Sequence, residues 1–124
     1  MKWVSASEII LFHDRILQLY AGVAGMPDTG RAEAIIHRVH NLAHYEGVND
    51  VFDLAAAYLV AIARGHIFND GKKRTAFFTT MAFLKRNGVL IRDEGNTLEE
   101  LTVQAATGEL APIQLAQRLR ELVE

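Results

Sequence analysis

Apolar residues recur along this chain at helical spacing in one segment after another. Ser5 followed by Glu8 is a capping-box pattern that opens a first helix. Within it Ile9, Phe12, Ile16, Leu19 and Tyr20 share a face and predict core contacts, while His13 and Asp14 lie beside that stripe and read as a surface pair. Ala21 to Gly30, rich in glycine with one proline, predicts a loop, either a plain connection or a flap over a site. A second helix is expected from about Arg31 to Tyr45. Its His37, His40 and His44 fall roughly on one face. His40 and His44 have the spacing of a helical zinc pair, but Asn41 stands where a metalloprotease carries glutamate, so the three read as ordinary surface histidines.

Asp50 caps a third helix that runs to about Arg64, and a fourth starts just after Gly71 and ends at Asn87-Gly88, a left-handed stop. Val89 to Arg92 is short and extended. Thr97 with Glu100 opens a fifth helix that Gly108 stops, and Pro112 suits the first turn of a last helix ending near Val123. That last helix offers Ile113, Leu115, Leu119 and Leu122 to a core. The two most apolar segments, LAAAYLVAIA (Leu54 to Ala63) and TAFFTTMAFL (Thr75 to Leu84), fall in the third and fourth helices, which therefore belong at the centre. With no repeat, low-complexity tract or linker, the expectation is a single all-α domain over residues 1–124, about six helices, with one loop between the two central ones.

That loop reads GHIFNDGKKRT, Gly65 to Thr75, and is polar although both its supports are apolar. Polar groups pinned between rigid helices make a pre-organised site. Gly71 lets the backbone turn tightly, and the first turn of the following helix offers backbone N–H groups and the positive end of the helix dipole. Lys72, Lys73 and Arg74 add cations where a helix ordinarily disfavours them, a pattern that an anion would relieve. The physical reading is a phosphate site on a helix N-terminus, with Arg74 able to fork two phosphate oxygens and Lys73 supplying a point charge. Asp70 beside bound phosphate is a natural Mg²⁺ ligand, and His66 is close enough in sequence to act as a base on a hydroxyl brought to the same phosphate. Phe68 reads as the apolar plug that anchors the loop.

Composition narrows the partners. The chain has 124 residues, half of them hydrophobic, and a net charge of −2, which gives no global pull toward nucleic acid or anionic lipid. Its cations are uneven: Arg64, Lys72, Lys73, Arg74, Lys85 and Arg86 fall in a stretch whose only acid is Asp70, which points to a small anion. The lack of cysteine suits a reducing cytoplasm. No signal peptide is expected, and Asp53, Arg64 and Thr79-Thr80 interrupt the apolar runs, so no membrane helix is expected either.

HIFNDGKKR resembles the signature of the Fic family: His, any residue, Phe, any residue, acid, Gly or Ala, Asn, Gly or Lys, Arg. His66, Phe68, Asp70, Gly71, Lys73 and Arg74 match, and Lys72 departs from it by standing where the signature has asparagine. Lys73, where most Fic enzymes have glycine, is similar to the Doc (death-on-curing) branch, toxins of toxin–antitoxin pairs. The likeness extends over GMPDTGRAEAII (Gly25 to Ile36), LKRNGV (Leu84 to Val89) and LTVQAATGE (Leu101 to Glu109). The resemblance implies the all-α Fic fold, His66 as general base, Asp70 on Mg²⁺, and Gly71, Lys72, Lys73 and Arg74 on the phosphates of ATP. Most Fic enzymes transfer AMP to a hydroxyl side chain. The Doc branch instead transfers the terminal phosphate to a threonine of elongation factor Tu and blocks translation. A third expectation is a weak homologue acting as co-repressor with its antitoxin. The family's own inhibitory pattern, Ser or Thr, three residues, Glu, then Gly or Asn, comes nearest at Thr29 to Glu33, but Ala34 follows. Inhibition is therefore expected in trans, from a Phd-like antitoxin helix laid in a groove.

Overall fold

The computed structural model of the chain describes residues 1–19, 28–65, 71–92, 95 and 97–124. Among these, six helices follow one another: α1 (Ala6–Leu19), α2 (Thr29–His44), α3 (Val51–Arg64), α4 (Lys72–Arg86), α5 (Thr97–Thr107) and α6 (Pro112–Glu121). The architecture is all-α. The sole pairing of extended backbone among the described residues is an isolated antiparallel bridge between Ile91 and Val123, flanked by Arg92 N–H to the Leu122 carbonyl at 2.6 Å and Glu124 N–H to the Leu90 carbonyl at 3.0 Å. It ties the extended segment after α4 to the end of α6. No helix among the described residues is long and apolar enough to cross a membrane.

Helix starts follow local chemistry. Ser5 and Glu8 exchange backbone and side-chain hydrogen bonds at 3.1 and 3.2 Å, closing the capping box of α1. Asp28 accepts from Arg31 N–H and starts α2 at Thr29, so Thr29 and Gly30 are helical rather than loop; residues 20–27, most of the expected loop and Tyr20, lie outside the described residues. Asp50 accepts from Phe52 and Asp53 N–H at the head of α3. Thr97 is the first helical residue of α5, and the residue before it lies outside the described residues. Pro112 opens α6 and Gly108 follows α5, as the residue types require.

Helix α3 is the central element and packs against α2, α4, α5 and α6. Its buried face carries Leu54, Ala55, Ala56, Tyr58, Leu59, Ile62 and Ala63. The α4 face against it carries Thr75, Ala76, Thr79 and Thr80, with Phe83 and Leu84 at the far end. Short side chains on both helices let the backbones come close. Buried threonines cost little when they bond within the helix: Thr75 and Thr80 hydroxyls donate to the Gly71 and Ala76 carbonyls at 2.8 Å, while Thr79 Oγ1 has no hydrogen-bond partner among the described residues. The Tyr58 hydroxyl donates to the Val4 carbonyl at 3.1 Å and accepts from Val4 N–H at 3.2 Å, which fastens the N-terminal segment to α3. Burial pushes its phenol up to about 12.

Three side chains expected at one place are found at another. His13 is 2% exposed rather than a surface residue: it lies four residues after Ile9 and three before Ile16, and those three form the buried stripe of α1. Leu19, the last residue of α1, is 75% exposed, beyond the part of the helix that its neighbours cover. Ile113 is 74% exposed because the buried face of α6 is Leu115, Ala116 and Leu119, centred about a third of a turn away from it.

Candidate functional site

The loop of interest hangs between the last residue of α3 and the first of α4. Residues 66–70 lie outside the described residues, and with them His66, Phe68 and Asp70. The downstream wall is described in full. Gly71 is the N-cap of α4 with φ 75° and ψ 7°, the left-handed region that glycine enters without a Cβ penalty. Its carbonyl accepts Thr75 N–H at 3.0 Å and the Thr75 hydroxyl at 2.8 Å, which locks the first turn onto a buried side chain. Gly71 itself offers no side chain to cap the helix. By helix geometry the amides of Lys72 and Lys73 find no carbonyl inside α4, so the turn presents donors outward.

The imidazole of His13 stands beside this cap. A Cβ added to Gly71 would come within 3.5 Å of His13 Cδ2 and 3.6 Å of its Nε2. The ring of α1 therefore backs the left-handed turn of α4, a contact that sequence reasoning missed. The signal for it was the spacing of His13 from Ile9 and Ile16. Asp14 is 4.0 Å from His13 Nδ1, beyond hydrogen-bond distance.

The three cations behind Gly71 do not act as one patch. Lys73 and Arg74 are exposed and line a groove of about 480 Å³ between α1, α4 and α5. Lys72 is half-buried and does not line it. Apolar walls come from Ile16, Phe77, Phe78 and Val103, and Phe78 is 49% exposed there. Phe12 packs edge-on against Phe78 at 4.9 Å and holds the ring in place. Glu99 enters from α5, the one acid on the lining among the described residues, and no sequence pattern had marked it. A groove with two cations at a helix N-terminus and aromatic walls can hold a phosphate with an apolar or ring-bearing group beside it.

Among the described residues no cluster of three or more metal-ligating side chains includes the histidines of α2. His37 and His44 are exposed, as expected. His40 is half-buried instead, because Trp3 of the N-terminal segment covers it with ring centroids 4.5 Å apart. Burial is the first cause that lowers its pKa, followed by the charges of His44 and His37.

Two comparisons bear on this geometry. A sequence-family model described as the Fic/DOC family matches residues 3–84. The protein kinase doc of Escherichia phage P1 is 50% identical to this chain over 122 residues, which span 98% of this chain and 96% of that protein. The match contains α1 to α3, the loop and nearly all of α4, the elements that build the groove's cationic end.

Proposed function

The chain belongs to the Fic/DOC family, and from that premise we propose that it is a Doc-like toxin which transfers the terminal phosphate of ATP to a threonine hydroxyl of elongation factor Tu. It would act as a single domain over residues 1–124, in the cytoplasm, and stop translation. The observation that carries the reading is the left-handed, side-chain-free cap at Gly71, with Lys73 and Arg74 turned into the groove behind it. The turn needs glycine: at φ 75° a Cβ would be strained and would stand against His13 and Leu17 of α1, so the left-handed cap that starts the cationic turn depends on Gly71.

The roles follow from charge and position. Arg74 binds two phosphate oxygens through its fork, and Lys73 places a point charge deeper along the groove than a glycine would allow. Crowding by Lys73 favours presentation of the terminal phosphate rather than the first. His66 takes the proton from the threonine hydroxyl as its oxygen bonds to the terminal phosphorus; the bond from that phosphorus to the bridging oxygen breaks and ADP leaves. Phe68 anchors the loop so that His66 stays aligned. Mg²⁺, held through Asp70, would neutralise charge on the phosphates. Lys72 is the departure from the family signature, and its half-buried position off the groove is compatible with an active enzyme.

The partner expected in trans is a Phd-like antitoxin. The same groove suits it, since its aromatic walls would take the apolar face of a helix, and Lys73 and Arg74 an acidic residue. Incubation with elongation factor Tu, Mg²⁺ and ATP, followed by mass spectrometry, tests the reading. A phosphate adduct with ADP as co-product is expected. An adenylate adduct with pyrophosphate would overturn it in favour of AMP transfer, and no adduct in the parent and in Lys72→Asn would favour a co-repressor without catalysis.

A further inference from the structure

The face made by α2 and α3 carries a second concavity, of about 300 Å³, which the proposed chemistry does not use. Ile35 and Val60 belong to its apolar floor, and Arg31, Arg38 and Arg64 stand around it. Among the described residues every charged side chain on this lining is an arginine. Arg31 is partly neutralised by Asp28 at 3.1 Å. Arg38 is exposed and has no ion-pair partner among the described residues. Arg64 is held by its Nε, which donates 2.7 Å to the Ala105 carbonyl at the end of α5. A guanidinium anchored through one nitrogen loses less freedom when the others bind a partner.

The position matters as much as the charge. Gly65 lines one end of the concavity and is followed directly by His66, the base in the proposed reaction. A chain seated between α2 and α3 would therefore lie next to the reacting loop. We propose that this groove docks the protein substrate, binding an acidic segment that carries an apolar residue close to the hydroxyl to be modified. This inference rests on the proposed protein-directed transfer and adds the side of the molecule from which the substrate arrives. Arginine forks recognise carboxylates in pairs of hydrogen bonds. The apolar floor has no use for a bare phosphate chain, and the chain's net charge of −2 gives no pull toward nucleic acid.

The test uses the full chain, with Arg38→Glu, Arg31→Glu and Arg38→Lys as variants. Docking is read without chemistry by fluorescence anisotropy, using a labelled synthetic peptide of glutamates around a leucine and a control with lysines in place of the glutamates. The parent should bind the acidic peptide alone, Arg38→Glu should weaken it by about tenfold or more, and Arg38→Lys should fall between. In the transfer assay on elongation factor Tu, Arg38→Glu should raise KM for the protein and leave kcat and the KM for ATP unchanged. Equal binding of both peptides, or an Arg38→Glu variant indistinguishable from the parent, would overturn the docking site. Tighter binding of a single-stranded RNA than of the acidic peptide, lost in Arg38→Glu, would overturn it as well. If the parent transfers nothing to elongation factor Tu yet binds the acidic peptide through Arg38, the docking inference stands and the assigned reaction fails.

Discussion

At its C-terminal end α4 carries Lys85 and Arg86; at its N-terminal end it begins Lys72, Lys73, Arg74. The C-terminal pair sits where carbonyls and the negative end of the helix dipole welcome cations. Arg86 donates to the Trp3 carbonyl at 3.1 Å and reaches both carboxylate oxygens of Glu8, one at 3.0 Å, joining the start of α1 to the end of α4. Asn87 closes the helix with its side-chain amide on the Phe83 and Lys2 carbonyls. The N-terminal end breaks each of these rules. Its cap has no side chain, its charges oppose the dipole, and Lys73 and Arg74 are exposed on a groove. The contrast within one helix separates residues that hold the fold together from residues proposed to hold a ligand, and it predicts opposite outcomes for substitutions at the two ends.

The largest effect should come from the loop itself. His66→Ala is expected to lower phosphate transfer by about 10²–10⁴-fold, the usual worth of a general base, and to abolish toxicity on induced expression while circular dichroism stays that of the parent. A variant as toxic as the parent would remove His66 from its role. At the other end Arg86→Met should cost about 1–2 kcal/mol of stability by chemical denaturation, through lost charge-assisted bonds, and leave the transfer rate unchanged. Because the Glu8–Arg86 pair is about one-third exposed, solvent screening keeps this effect modest. A fall in transfer as large as that of His66→Ala would erase the distinction between the ends.

The same ion pair gives a pH test. Its hydrogen bonds with Arg86 are the main cause that holds the Glu8 carboxyl at about 2, against an ordinary value of 4.5. A depressed carboxylate contributes stability that is complete above the ordinary value and is lost as pH falls toward the folded one. Stability of the parent should therefore decline between about 4.5 and 2, and Glu8→Gln should flatten that part of the curve. An unchanged slope would show that the pair is not what acid breaks.

Two smaller effects sharpen the N-terminal end. Lys72→Asn, which restores the family signature, should raise transfer by less than about tenfold, equivalent to about 1.4 kcal/mol of barrier. Steady-state rates for both forms decide this, and an equal rate would show lysine fully compatible with the site. Lys73→Glu should raise stability by about 0.3–1 kcal/mol, since an acid suits a helix N-terminus, while it weakens ATP binding in calorimetry. A loss of stability in Lys73→Glu would mean that the cation there supports the fold.

By itself the sequence determined what depends on near neighbours along the chain. The Ser5–Glu8 box, the Asp50 cap, the start of α4 after Gly71, the stop at Asn87-Gly88 and Pro112 in the first turn of α6 all follow from residues within a few positions of one another. The motif also singled out Gly71, Lys73 and Arg74, while the roles of His66, Phe68 and Asp70 rest on its pattern alone. Tertiary structure decided which faces of those helices meet. His13 is buried because α1 crosses α4 at a glycine, Glu99 enters the groove because α5 lies beside α4, and Lys72 leaves it because successive helical residues point about 100° apart. His40 lost its surface place to Trp3, 37 positions earlier in the chain. Arg31, Arg38 and Arg64 converge only because α2 is laid on α3. Local hydrogen bonding and periodicity act over one or two helical turns, whereas burial and the convergence of charges depend on partners that no short window of sequence contains.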